Sequence, residues 1–250
     1  MMLSRGSLLP VALAGLCLAW SPLFVGAAPA APRQPVVAEL YTSQGCSACQ
    51  GADELTEDLD GRKGVLVLTF PVDYWDYLGW RDTFAQPAFT DRQKAYAKAL
   101  GVREVYTPQV VIQGRGQIGR TEPGQSLTQS AEALIGKAAK ARGKGPAIRF
   151  LTGGRIRVGP GQAPRGGAEV WLVRYQVAPP EVAVTAGENI GKTVRYHNVV
   201  RELDRLGVWS GRARAYAEPQ AAEGGLKTAV LVQAKGGGHI IAASELSDGR

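Results

Sequence analysis

The chain has 250 residues, with 29 Lys and Arg against 22 Asp and Glu and a net charge of +7. A hydrophobic content of 45% is enough to bury a core, which excludes a disordered or fibrous chain. The basic residues are scattered without a dense Lys/Arg cluster, so no nucleic-acid partner is predicted.

The first thirty residues read as a secretory signal peptide. Arg5 is the only charged residue before Arg33, the apolar run LLPVALAGLCLAW follows it, and small residues cluster in VGAAPAAP. Cleavage is expected after Ala27 or Ala30. Pro10 and Pro22 interrupt the apolar run and no second long one follows, so no membrane insertion is expected once the leader is removed. The expected destination is the periplasm or the cell exterior. Cys17 leaves with the leader, so Cys46 and Cys49 are the only cysteines of the mature chain, in a compartment where disulfides persist. Roughly 220 residues then remain for one large or two small domains.

In chain order, PVVAELYTS is a β-branched, apolar strand, and the cysteine pair follows it directly. Ala52, Leu55 and Leu59 then recur at helical spacing, while Asp53, Glu54, Glu57 and Asp58 face elsewhere. This spacing puts Cys46 at or just before a helix N-terminus. GVLVLTFPVDYW is a second strand, apolar on both faces as in the middle of a covered sheet. FTDRQKAYAKALG carries a helix signature, with Thr90 and Gln93 spaced as a capping box and Gly101 as the stop. YTPQVVIQG and RGQIGRTE form a hairpin across Gly114-Arg115-Gly116, and SLTQSAEALIGKAAKARG is a closing helix.

The character changes at ARGKGPA, a glycine, proline and basic stretch that reads as a domain boundary. The short strand-like segments beyond it are AIRFL, RIRVG, AEVWLVRYQV, VAVTAG, KTVRYHNVVREL, AVLVQA and HIIAASEL. They suggest a small antiparallel sandwich. The expected organisation is a signal peptide over 1–30, an α/β thioredoxin-like domain with CxxC over 33–143, and a mainly antiparallel β domain over 144–250. The thioredoxin-like assignment rests on the order strand, CxxC, helix, strand, helix, hairpin, helix. Thr107-Pro108, which opens a strand where a missing N–H would leave an edge unpaired, supports it.

TSQGCSAC, DYWDYLGWRDTFAQPAFTDRQKAYA, VYTPQ and AGENIGKTVRYHNVVRELDRLGVW resemble a family of exported bacterial thioredoxin-like proteins with no assigned function. The resemblance spans nearly the whole mature chain. It implies a cis peptide before Pro108, packed against the cysteine pair, and a fold more firmly than a reaction. Gln50-Gly51 departs from the pattern, which has two prolines after the second cysteine.

Several chemistries suit these residues. A thiol at a helix N-terminus is acidified by unpaired N–H groups, so Cys46 is the expected attacking sulfur and Cys49 the resolving one, exchanging disulfides with protein thiols. The same two thiolates suit a soft cation such as Cu(I), although the chain has only His197 and His239 and no second cysteine pair. A plain structural disulfide between Cys46 and Cys49, in a binding module, is the third reading. Glu39 is placed either beneath the pair, as acceptor of the Cys49 proton, or on a solvated strand face. Asp73 and Trp75 are expected to line a substrate groove with Thr107 and Pro108, or else to cap and fill the core. ENIGKTV has a GKT tripeptide but no glycine-rich loop, so no nucleotide and no cofactor is implied.

Overall fold

The computed structural model describes residues 1–2, 34–119, 126–141 and 143–246. Beyond Met1 and Met2, the expected signal peptide, with Arg5, Cys17, Ala27 and Ala30, lies outside the described residues. Among those described, no helix is long and apolar enough to cross a membrane.

Strand β1 (Val36–Thr42) is buried at every position. It pairs in parallel with β2 (Val65–Pro71) and antiparallel with β3 (Gln109–Ile112), which continues through a tight turn into β4 (Gly116–Ile118). Three helices cover these strands: α1 (Gln50–Leu59), α2 (Pro87–Leu100) and α3 (Leu127–Ala141). Side chains alternate across a strand, so Val36, Ala38 and Leu40 pack with Ala52, Leu55 and Leu59 of α1 and Ala131 of α3. Val37 and Tyr41 point the other way, onto Phe89 and Tyr96 of α2. The spacing of Ala52, Leu55 and Leu59 thus marks α1's buried face, as the sequence suggested.

Helix α2 begins earlier than its capping signature indicated. Pro87 occupies the first turn, where a missing N–H and a fixed φ are an advantage. Thr90 is therefore inside the helix. Its hydroxyl donates to Asp73 Oδ1 at 2.5 Å, and Gln93 Nε2 donates to the Tyr106 carbonyl at 2.8 Å. Gly101, in the left-handed region at φ 69°, ends the helix as expected.

Beyond α3 come β5 (Ile148–Leu151), β6 (Arg155–Val158), β7 (Ala168–Gln176), β8 (Val182–Ala183), β9 (Thr193–Val194), β10 (Val199–Trp209), β11 (Arg214–Ala217), β12 (Lys227–Ala234) and β13 (Ile240–Glu245). Segment KTVRYHNVVREL is two strands, not one. His197 lies between them, and β11 had no sequence signal.

Strands from both sides of the expected 143/144 boundary lie in one eight-stranded sheet, ordered β13-β12-β7-β10-β2-β1-β3-β4. The seam is β2 against β10, where Val199 pairs with Thr69. The Thr69 N–H donates to the Asn198 carbonyl at 3.0 Å, and its hydroxyl donates to the His197 carbonyl at 2.6 Å. A second sheet, β11-β6-β5, covers one face of the β7–β13 half through Ile156, Val158 and Tyr216. The turn between β12 and β13 presses on α2: at Gly237, with φ +76°, a Cβ would meet the Ala95 carbonyl carbon at 2.5 Å.

Candidate functional site

Strand β1 ends at Thr42, and the chain turns at once. The Cys46 N–H donates to the Ser43 carbonyl at 3.0 Å and the Cys49 N–H to the Cys46 carbonyl at 3.2 Å. This turn brings the two cysteines to a Cα separation of 5.5 Å, and they are joined in a disulfide. Both are 1% exposed, whereas Ser47 and Ala48 between them face solvent. Helix α1 starts only at Gln50. Cys49, not Cys46, is its N-cap, and its carbonyl accepts from the Ala52 and Asp53 N–H groups at 2.9 and 3.1 Å. Cys49 already has helical backbone angles (φ −87°, ψ −17°), and Cys46 stands one turn ahead of it, just before the helix N-terminus.

Gln44 organises the surroundings and carried no sequence signal. Its N–H donates to Asp82 Oδ2 at 2.7 Å, its Nε2 to the Thr83 hydroxyl at 2.9 Å, and its Oε1 accepts from Trp80 Nε1 at 3.0 Å. Its carbonyl accepts from Asn189 Nδ2 at 2.8 Å. That last bond comes from the loop between β8 and β9, which also places Glu188 Oε2 2.8 Å from the Ser47 hydroxyl. Gly187 fits this loop against Trp80: at φ +74°, a Cβ there would lie 3.2 Å from the Trp80 Cβ.

Trp75 joins the cysteine turn to the Thr107-Pro108 segment. Its Cβ would lie 3.5 Å from a side chain at Gly45, and its Nε1 donates to the Thr107 hydroxyl at 2.8 Å. The Thr107-Pro108 peptide is cis. Asp73 Oδ1 accepts from the Thr90 hydroxyl and ties the loop after β2 to α2.

Glu39 takes neither of the two places that the sequence left open to it. Glu39 shares its sheet face with Val37 and Tyr41, opposite α1. There Arg92 Nε and Nη2 donate to its two oxygens at 2.8 and 2.9 Å, and the Tyr41 and Tyr96 hydroxyls donate at 2.9 and 2.7 Å. It is 0% exposed yet fully paired, so it is neither solvated nor beneath the cysteines. Asp53, one turn after Cys49, is the carboxyl on the cysteine side. The Thr42 hydroxyl donates to its Oδ1 at 3.0 Å. Burial foremost pushes its pKa well above the usual range, and nearby Asp82 and Glu54 push the same way. Burial raises Asp82 as well, against the stabilising bonds from Gln44, Phe84 and Tyr196. The signal for Asp53 was its i, i+4 spacing from Cys49 beside the apolar stripe.

His197 lies on the outer side of α1, with Nε2 3.5 Å from Glu57 Oε2. His239 is remote, against Arg115, and burial lowers its pKa first and Arg115 second. Among the described residues, no group of three or more His, Cys, Asp or Glu is placed to hold a metal ion.

The fold and site define a mixed α/β protein whose large sheet carries a disulfide at a strand-to-helix turn. The chain belongs to the family described as protein of unknown function (DUF1223), whose model matches residues 37–233. A crystal structure of an Agrobacterium tumefaciens protein is similar over 89% of this chain and 98% of its own, with 28% identity and a TM-score of 0.70. HBP35 of Porphyromonas gingivalis has the same fold over 87% of this chain and 76% of its own, with 14% identity and a TM-score of 0.59. No curated protein matches the sequence.

Proposed function

We propose that this is an exported thioredoxin-like protein that exchanges disulfides with other proteins through Cys46 and Cys49. The observation that carries the reading is the placement of the pair: a disulfide at a strand-to-helix turn, tied through Trp75 to a cis Thr107-Pro108 segment. The strand order β2-β1-β3-β4, with α1 following the cysteines, supports the fold part of the proposal. The leader-like N-terminus supports export.

In the reducing direction, the Cys46 thiolate attacks a sulfur of a partner disulfide and expels the partner's other thiolate. Cys49, having lost its proton, then attacks Cys46 and releases the partner's second thiolate, leaving the Cys46–Cys49 disulfide. The oxidising direction is the reverse. Asp53 takes the Cys49 proton, because its carboxyl lies one helical turn after Cys49 and burial favours its protonated form. A bridge that closes so short a loop removes little entropy from the unfolded chain, which argues against a purely structural role.

The test is equilibration of the pair in glutathione buffers, with trapping by Cys49→Ser. The expected result is a potential above about −300 mV, the boundary below which structural disulfides fall, and mixed disulfides held at Cys46. A pair below that potential that traps nothing makes the disulfide a staple and ends the proposal.

A further inference from the structure

Among the described residues after Met2, two large apolar side chains stand out from the surface, Tyr77 at 82% exposure and Ile190 at 66%. Both belong to loops that frame the disulfide. Tyr77 lies in the loop of Trp75 and Trp80. Ile190 follows Asn189, whose buried amide holds the β8–β9 loop on Gln44. The loops touch, since a Cβ at Gly187 would lie 3.4 Å from the Leu78 carbonyl oxygen. Neither side chain fills a core, so the fold gains nothing from exposing them.

The charge around the pair runs against that of the whole chain. Segment 43–60 carries five carboxyl side chains and no lysine or arginine, in a protein of net charge +7. On the outer side of α1, Glu54 and Glu57 bring carboxylates to a cleft of about 360 Å³ that starts at Gln50, directly after Cys49, with Asp53, whose burial favours its protonated form, in the same wall. Arg195, in its wall, is paired with Glu181. Glu188 adds an exposed carboxylate beside Ser47.

Resting on the exchange reading above, we propose that the partner is a polypeptide segment whose cysteine is flanked by an apolar residue and by a lysine or arginine. The apolar residue docks on Tyr77 and Ile190, and the basic one enters the acidic cleft beside α1. The occupant is a basic segment because Glu54 and Glu57 make the cleft acidic and its wall begins at Gln50, the residue after Cys49. It is a polypeptide because a small thiol spans neither the exposed pair nor the cleft.

The test uses reduced Cys49→Ser protein and three disulfides. The first is a ten-residue peptide with Leu before and Arg after its cysteine, joined to glutathione. The second is the same peptide with Ser and Glu at those positions. The third is glutathione disulfide. In each, Cys46 attacks one sulfur and expels the other as a thiolate, and intact mass follows the mixed disulfide. The Leu/Arg peptide is expected to react about tenfold faster than the Ser/Glu peptide, with the preference shrinking as salt rises. Adding Tyr77→Ala and Ile190→Ala is expected to lower the ratio of Leu/Arg peptide rate to glutathione disulfide rate by roughly fivefold. Equal rates for the two peptides, or a ratio unmoved by the double substitution, overturns the docking proposal and leaves the exchange reading standing. No reaction with any of the three overturns the exchange reading, and the docking surface with it.

Discussion

Glu39→Gln separates a structural carboxylate from a catalytic one. In the wild type, Glu39 and Arg92 form a bidentate pair with side chains 0% and 5% exposed. The guanidinium also lies 5.6, 5.2 and 5.6 Å from the Phe70, Tyr96 and Trp171 ring centroids. Gln at this position keeps the shape but removes the negative charge, leaving Arg92 buried without a counter-ion. Ring faces supply only a small part of what a carboxylate gives. Breaking a buried pair from one side costs about 3–5 kcal/mol. For a domain of this size that corresponds to a melting temperature lower by about 6–20 °C.

Removing both charges is expected to be milder than removing one, because the desolvation cost disappears with them. Urea unfolding of Glu39→Gln, of Arg92→Leu and of Glu39→Leu with Arg92→Leu measures this directly. Disulfide exchange by Glu39→Gln, assayed below its unfolding transition, is expected to run at the wild-type rate. Stability within about 1 kcal/mol of wild type, together with slowed exchange, would refute the reasoning and return Glu39 to the mechanism.

Asp53→Asn tests the other carboxyl through pH. The folded pKa of Asp53 lies above its unfolded value, so between the two the folded state binds more protons and stability falls as pH rises. The variant lacks this fall. Relative to wild type it is expected to gain stability as pH rises above about 4, the ordinary carboxylate pKa, by about 1.4 kcal/mol for each unit of upward shift removed. A stability difference independent of pH, measured by urea unfolding on both sides of that value, would contradict the assignment. Asn189→Ala leaves the Gln44 carbonyl without its side-chain donor and is expected to cost about 1–3 kcal/mol. It should also speed reduction of the disulfide by dithiothreitol by releasing the loop over Ser47; an unchanged reduction rate would show that the loop does not limit access.

What the sequence conveyed about the site follows the range of the interactions involved. The strand, the turn with its cysteines and the apolar face of α1 are set by neighbours within a few residues, and they were legible. Glu39 was not. Every residue of β1 is buried, so alternation shows that Glu39 shares a face with Val37 and Tyr41 but not which helix lies there. Arg92, which decides the matter, is 53 residues away. The capping signature at Thr90 failed for a local reason, since Pro87 offers a helix start one turn earlier. Gln44 has ordinary composition and becomes central only because residues from 80, 82, 83 and 189 converge on it.

The glycine and proline stretch near residue 143 marks the passage from α3 to β5, and whether the chain rejoins the same sheet depends on an open edge that composition does not reveal. Strand β2 has that edge, and β10 takes it at Val199. The consequence for the site is direct. Among the described residues, the stretch between β8 and β10 reaches the disulfide's surroundings through Glu188 on Ser47, Asn189 on Gln44, and the Tyr196 hydroxyl donating to Asp82 at 2.9 Å. Asp82 holds the Gln44 N–H and so fixes the turn that carries Cys46. The β2–β10 seam therefore does more than extend a sheet. It registers the loop of the second half over the cysteines of the first, and the two halves form one site.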